Sequence, residues 1–106
     1  MARTHLTVPD RARRGDVIEV RTLIAHPMET GYRPGADGQV VPRDILRRFT
    51  CRFLGEVVFS ARLHPAVAAN PYLAFHLVAT ETGPLHFTWE GDGGFLQEEQ
   101  LLLTVA

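Results

Sequence analysis

At 106 residues the chain is one domain, large enough for a single core and too small for a deep pocket with its own supporting shells. Hydrophobic content of 45% and charged content of 22% are those of a globular protein and exclude disorder. Eleven basic residues, all arginine, against 12 acidic ones leave a net charge of −1, so the positive field that nucleic-acid binding starts from is missing, and a lone cysteine excludes a disulfide scaffold.

Residues 1–9 hold no apolar h-region, and the apolar runs are too short to span a bilayer, so no membrane contact is expected. Apolar residues then alternate in twos along most of the chain. A short strand over 4–8 ends at Pro9-Asp10. The next, over 16–25, sets Ile18, Val20, Thr22 and Ile24 against Glu19 and Arg21. A strand over 45–54 sets Phe49, Cys51 and Phe53 against Arg48, Thr50 and Arg52. Gly55-Glu56 turns the chain into 57–63, where Val57, Phe59, Ala61 and Leu63 alternate with Val58, Ser60 and Arg62. Strands over 73–79 and 85–90 follow, with Leu73, Phe75, Leu77, Leu85, Phe87 and Trp89 inward. Gly91-Asp92-Gly93-Gly94 is a strong turn signal before the last strand, 95–105. Seven short strands between Gly, Pro, Asn and Asp turns predict an all-β, immunoglobulin-like sandwich of antiparallel strands.

Two connections are unlike hairpins. Residues 26–44 carry Gly31, Pro34, Gly35, Gly38 and Pro42, with a tight hairpin expected at Asp37-Gly38; residues 64–72 carry Pro65, Asn70 and Pro71. Loops this long in a small domain are functional segments. Leu101-Leu102-Leu103 puts leucine on both faces of its strand, which calls for a cover over the outer face. The arginine clusters Arg11/Arg13/Arg14 and Arg43/Arg47/Arg48/Arg52 read as solvated or ion-paired surface.

The candidates for chemistry are Cys51 and five histidines, His5, His26, His64, His76 and His86. An iron site of superoxide-reductase type uses these ligand types on a related sandwich. That family places its cysteine in a loop with a histidine close behind, whereas Cys51 lies mid-strand between two phenylalanines. There it reads as a small buried hydrophobe, without the access or lowered pKa of a nucleophile. Adjacent Glu98 and Glu99 point to opposite faces of a strand and make a poor acid/base pair. No catalytic residue, metal site or cofactor is expected. His26 and His64 each precede a proline at a strand end, where an imidazole either holds the loop or faces a partner.

Leu23 to Gly31, with His26-Pro27-Met28-Glu29-Thr30-Gly31, resembles a segment of the SoxZ family. Asp37-Gly38, Pro42-Arg43, Phe49-Thr50-Cys51, the stretch from Leu63 to Leu73 and Phe87-Thr88-Trp89 resemble it as well, in order and across the chain. The resemblance implies a non-catalytic subunit of thiosulfate oxidation that pairs with a SoxY-type carrier as a heterodimer. SoxY bears the reactive cysteine on a Gly-Gly-Cys-Gly-Gly arm, a motif this sequence does not contain. It also implies transient contacts with other Sox enzymes and a periplasmic location reached by export with the partner. The expected interface uses outward apolar positions, Met28, Val58 and Leu102, with His26, Glu29 and His64 from the loops. Met28 has an alternative role as a plug for the end of the sandwich. A homodimer is expected when the subunit is isolated. The competing readings are a small metal or redox enzyme and a generic immunoglobulin-like binding module.

Overall fold

The structure, a computed structural model, describes residues 2–106. Strands β1 (Thr4–Thr7), β2 (Val17–Ile24) and β5 (Tyr72–Val78) form one antiparallel sheet in the order β1-β2-β5. Strands β3 (Leu46–Phe53), β4 (Glu56–Arg62), β6 (Gly83–Gly91) and β7 (Leu96–Leu103) form the other, in the order β4-β3-β6-β7. The seven-stranded sandwich expected from the alternation is the observed fold.

The alternation works because a strand's side chains point to opposite faces in turn. Ile18, Val20, Thr22 and Ile24 of β2 are buried, as are Phe75 and Leu77 of β5. So are Phe49, Cys51 and Phe53 of β3 and Leu85, Phe87 and Trp89 of β6, and the apolar members form one core. Phe49 sits at its centre, with the rings of Phe59, Phe75, Phe87 and Trp89 at 5.2–6.3 Å. One side of the sandwich is closed by Phe59 of β4 stacked on Phe75 of β5 at 4.4 Å. The other is closed by polar contacts. Buried Gln97 accepts from the Ala2 N–H (2.9 Å) and donates to its carbonyl (2.8 Å), and the Thr4 hydroxyl donates to Glu99.

The sequence pattern fails at β4. Cys51 pairs with Phe59 and Arg52 with Val57, so Val58 is an extra residue with no partner across the ladder. This β-bulge keeps Phe59 and Ala61 inward but turns Val57 to the outer face, where it is 54% exposed instead of joining the core. The same one-residue shift sets Arg62 directly opposite Arg48. Leu54 and Gly55 make the turn with positive φ at both positions (54° and 83°), the geometry of a two-residue I′ hairpin.

The sandwich therefore has two unlike ends. One carries the long connections and the β6–β7 turn, a single 3-10 turn at Asp92–Gly94 whose Gly93 and Gly94 both have positive φ. The other carries the short turns after β3 and β5 and the connection over 8–16 between β1 and β2, which is held by the Gly15 N–H on the Ala79 carbonyl and the Ala12 N–H on the Thr104 carbonyl. Within the long connection a tight hairpin does form. The Gly35 N–H donates to the Gln39 carbonyl and the Gly38 N–H to the Gly35 carbonyl, with Gly38 at φ 80°.

Candidate partner-binding site

The loop end is built around His26, which is 5% exposed. Its Nδ1 accepts the Met28 N–H (3.0 Å), its own N–H donates to Asn70 Oδ1 (3.0 Å), and its carbonyl accepts the Asn70 N–H (2.8 Å). Nδ1 as acceptor puts the ring proton on Nε2, which lies 3.7 Å from Asp44. The ring meets Phe95 edge-on at 5.5 Å. Backbone and ring of this one residue thus tie together both long connections and the lead into β7. Of its two sequence readings, loop-holding is the one the geometry supports.

Met28 takes a left-handed conformation (φ 52°) that swings its side chain inward, where it is 4% exposed and belongs to the core. Its Sδ accepts the Leu46 N–H at 3.2 Å, supplying a partner for a backbone donor at the start of β3. The expectation that Met28 faces outward is corrected: it plugs the end of the sandwich. Glu29 is half-buried, exchanges backbone hydrogen bonds with Asp44 and holds Arg33 at 2.6 Å, and that guanidinium lowers its carboxyl below the ordinary range.

A second clasp is Asp92. Its carboxylate takes Arg43 in a two-pronged contact (2.8 and 2.9 Å), accepts the Ile45 N–H at 3.1 Å and lies 3.5 Å from Arg47. The Arg43 hydrogen bonds, with the Ile45 amide, hold its pKa below the usual aspartate value. Beside it runs an open groove of about 580 Å³. Arg47, Arg48, Arg62 and His64 stand along it, and Leu63 and Phe95 contribute apolar lining. Arg62 was invisible as a member of this cluster in the sequence, because only the bulged register brings it beside Arg48.

The predicted interface residues do not share one surface. His26, Met28, Glu29 and His64 gather at the loop end, whereas Val58 and Leu102 lie at the other. There several apolar side chains are exposed among Arg52, Glu56 and Glu81. Leu102 (64% exposed) pairs with Pro84, whose carbonyl accepts the Leu54 N–H, so Leu54, Pro84 and Leu102 form a row. Leu54 lies over Gly83, where any Cβ would collide with it. Val58 and Val78 line one shallow hollow, and Val17 pairs with Val78 in the opposite sheet. Leu54, Val57, Val58, Val17, Val78 and Leu102 are all exposed.

Cys51 offers no reactive alternative. It is fully buried, and burial pushes its thiol up to about 12, so the thiolate that nucleophilic or ligating chemistry needs is suppressed. Among the described residues no three His, Cys, Asp or Glu side chains are placed to hold a metal ion. No helix among them is long and apolar enough to cross a membrane.

The sequence model of the family described as "Sulphur oxidation protein SoxZ" matches residues 6–101. The chain belongs to the SoxZ family. Among solved structures it is similar to superoxide reductase (neelaredoxin) from Ignicoccus hospitalis, at 17% identity and a TM-score of 0.75, covering 99% of this chain and 82% of that one. It is also similar to the sulfur carrier protein SoxY from Chlorobium limicola f thiosulfatophilum, at 15% identity and a TM-score of 0.69, covering 97% and 79%. At these identities the likeness is one of fold. No curated protein sequence matches the chain. Membership of SoxZ places the chain in sulfur oxidation. The fold is one that superoxide reductases share.

Proposed function

We propose that this SoxZ-family chain is the non-catalytic subunit of a sulfur-carrier complex, binding a SoxY-type partner through its apolar end. The supporting observation is the set of exposed apolar side chains Leu54, Val57, Val58 and Leu102 at one end of a protein of this family. A sheet face of this kind is stabilised by covering it. The division of labour is physically sensible: a flexible glycine-rich arm carries the sulfur, and a stiff second sandwich widens the surface each visiting enzyme reads. The complex would act in the periplasm, reached by export with the partner.

The test is capture by a SoxY-type chain ending in Gly-Gly-Cys-Gly-Gly. Wild type is expected to co-purify at one to one, and Leu102→Asp to lower affinity by roughly thirtyfold or more, a loss of about 2 kcal/mol. Its own unfolding free energy is expected to fall by less than about 1 kcal/mol, because Leu102 is mostly exposed on the free subunit. Undiminished capture by Leu102→Asp would remove the apolar end as the interface.

A further inference from the structure

The groove at the loop end is a place of concentrated positive charge on a chain that is nearly neutral. Arg43 and Arg47 have Asp92 as their counter-ion, but Arg48 and Arg62 have no carboxylate within 4 Å among the described residues. The two stand directly opposite each other on the β3–β4 ladder, and like charges in that relation repel. Glu90, the neighbour of Arg48 on the other side in register, also lines the groove but makes no ion pair with it, so the positive charges at the rim outnumber the negative. The groove is far larger than one inorganic ion needs, given that a water occupies about 30 Å³ in the liquid. Its lining continues past the arginines onto Leu63, Pro65, Phe95 and Leu96, of which Leu96 is exposed. Charge at one rim and an apolar floor beside it match a chain segment that alternates acidic and apolar side chains.

We propose that this groove docks an extended, carboxylate-rich segment of a partner protein. Arg48 and Arg62 take its carboxylates, and Phe95 and Leu96 receive the apolar side chains between them. Paired guanidinium groups present planar forks that match carboxylates, which single ammonium groups do not. The groove lies at the opposite end of the sheet from Leu102, so this docking is separate from carrier capture. Rim charges of this type chiefly raise the rate of encounter and fall away with salt, the behaviour suited to a transient visitor.

The test is a titration of the full-length chain with an acetylated eight-residue peptide of alternating glutamate and leucine, followed by amide and arginine side-chain NMR. The control peptide has glutamine in place of glutamate, and inorganic sulfate at matched ionic strength is a third arm. Saturable shifts are expected at Arg48, Arg62, Phe95 and Leu96, weakened about fivefold by either Arg48→Ala or Arg62→Ala. Both side chains are exposed, and the amide spectra of the variants away from the groove should match wild type. Equal binding of the glutamine peptide, binding of sulfate as tight as that of the acidic peptide, shifts centred on Val58 and Leu102, or no shifts at millimolar peptide would each overturn the proposal. The readout uses this chain alone, so its failure is distinguishable from failure of carrier binding.

Discussion

The two ends of this sandwich solve the problem of closing a small core in opposite ways. At the loop end, long connections are tied down by polar contacts that converge on His26 and Asp92, and even a methionine side chain turns inward as a plug. At the far end the ties are backbone ones, the connection over 8–16 being bound to the end of the chain and to the β5–β6 turn through Ala12, Gly15 and Ala79. Valine and leucine stand exposed there among Arg52, Glu56 and Glu81. The contrast follows from backbone accounting. A long connection carries many N–H and C=O groups that must be paired when it packs on a core, whereas a two-residue turn carries almost none. Side-chain clasps accordingly accumulate in the long connections, while exposed apolar side chains occur at both ends, Tyr32, Val40 and Leu96 at one and Val57, Val58 and Leu102 at the other.

That comparison supposes a single core beneath both ends. Phe49 tests it most severely, since it is fully buried and touches the aromatic rings of both sheets. Phe49→Ala is expected to cost about 3–5 kcal/mol in chemical denaturation. Amide exchange should speed up at Ile24 and Leu46 near one end and at Leu85 and Leu103 near the other in equal measure. Loosening confined to one end would mean that the ends are separate cooperative units.

The two histidines that precede prolines sharpen the contrast within the loop end itself. His26→Ala leaves the buried Met28 N–H without its acceptor and opens a void under Phe95, for an expected loss of about 2–3 kcal/mol. His64 is exposed and makes no side-chain hydrogen bond among the described residues, so His64→Ala should stay within about 0.5 kcal/mol. Loss of exchange protection in His26→Ala should centre on Met28, whose N–H loses its acceptor, with carrier capture at the far end retained. Lost capture would show that the ends are energetically coupled.

The difference between those two residues was not legible in the sequence, where both read alike as histidine before proline. Strand faces were legible because burial follows the period of two, and Cys51, Phe87 and Trp89 fell where their neighbours required. What the sequence hid is whatever depends on register or on left-handed backbone. The Val58 bulge exposed Val57 and created the Arg48–Arg62 pair. A positive φ at Met28 reversed an interface candidate into a plug. Asp92 read only as part of a turn, because its ligands Arg43 and Ile45 lie almost fifty residues away in the chain and meet it only in the fold.

Asp92 gives the smallest effect and the sharpest reading of pH. Its carboxylate is stabilised in the folded chain, with a pKa lowered from 3.8 chiefly by the Arg43 hydrogen bonds. The clasp is therefore fully present above the unfolded value and is lost as pH falls through the lower, folded one. The Ile45 amide, which donates to Asp92, should report this as a chemical-shift inflection below pH 3.8 in wild type. Asp92→Asn keeps the shape but removes the charge. The Ile45 inflection should disappear, the Arg43 side chain should gain mobility, and global stability should scarcely change because the contacts of Arg43 are exposed. An inflection that persists in Asp92→Asn would assign the titration to another carboxylate, with Glu29, whose carboxyl the Arg33 hydrogen bond also lowers, the next to substitute.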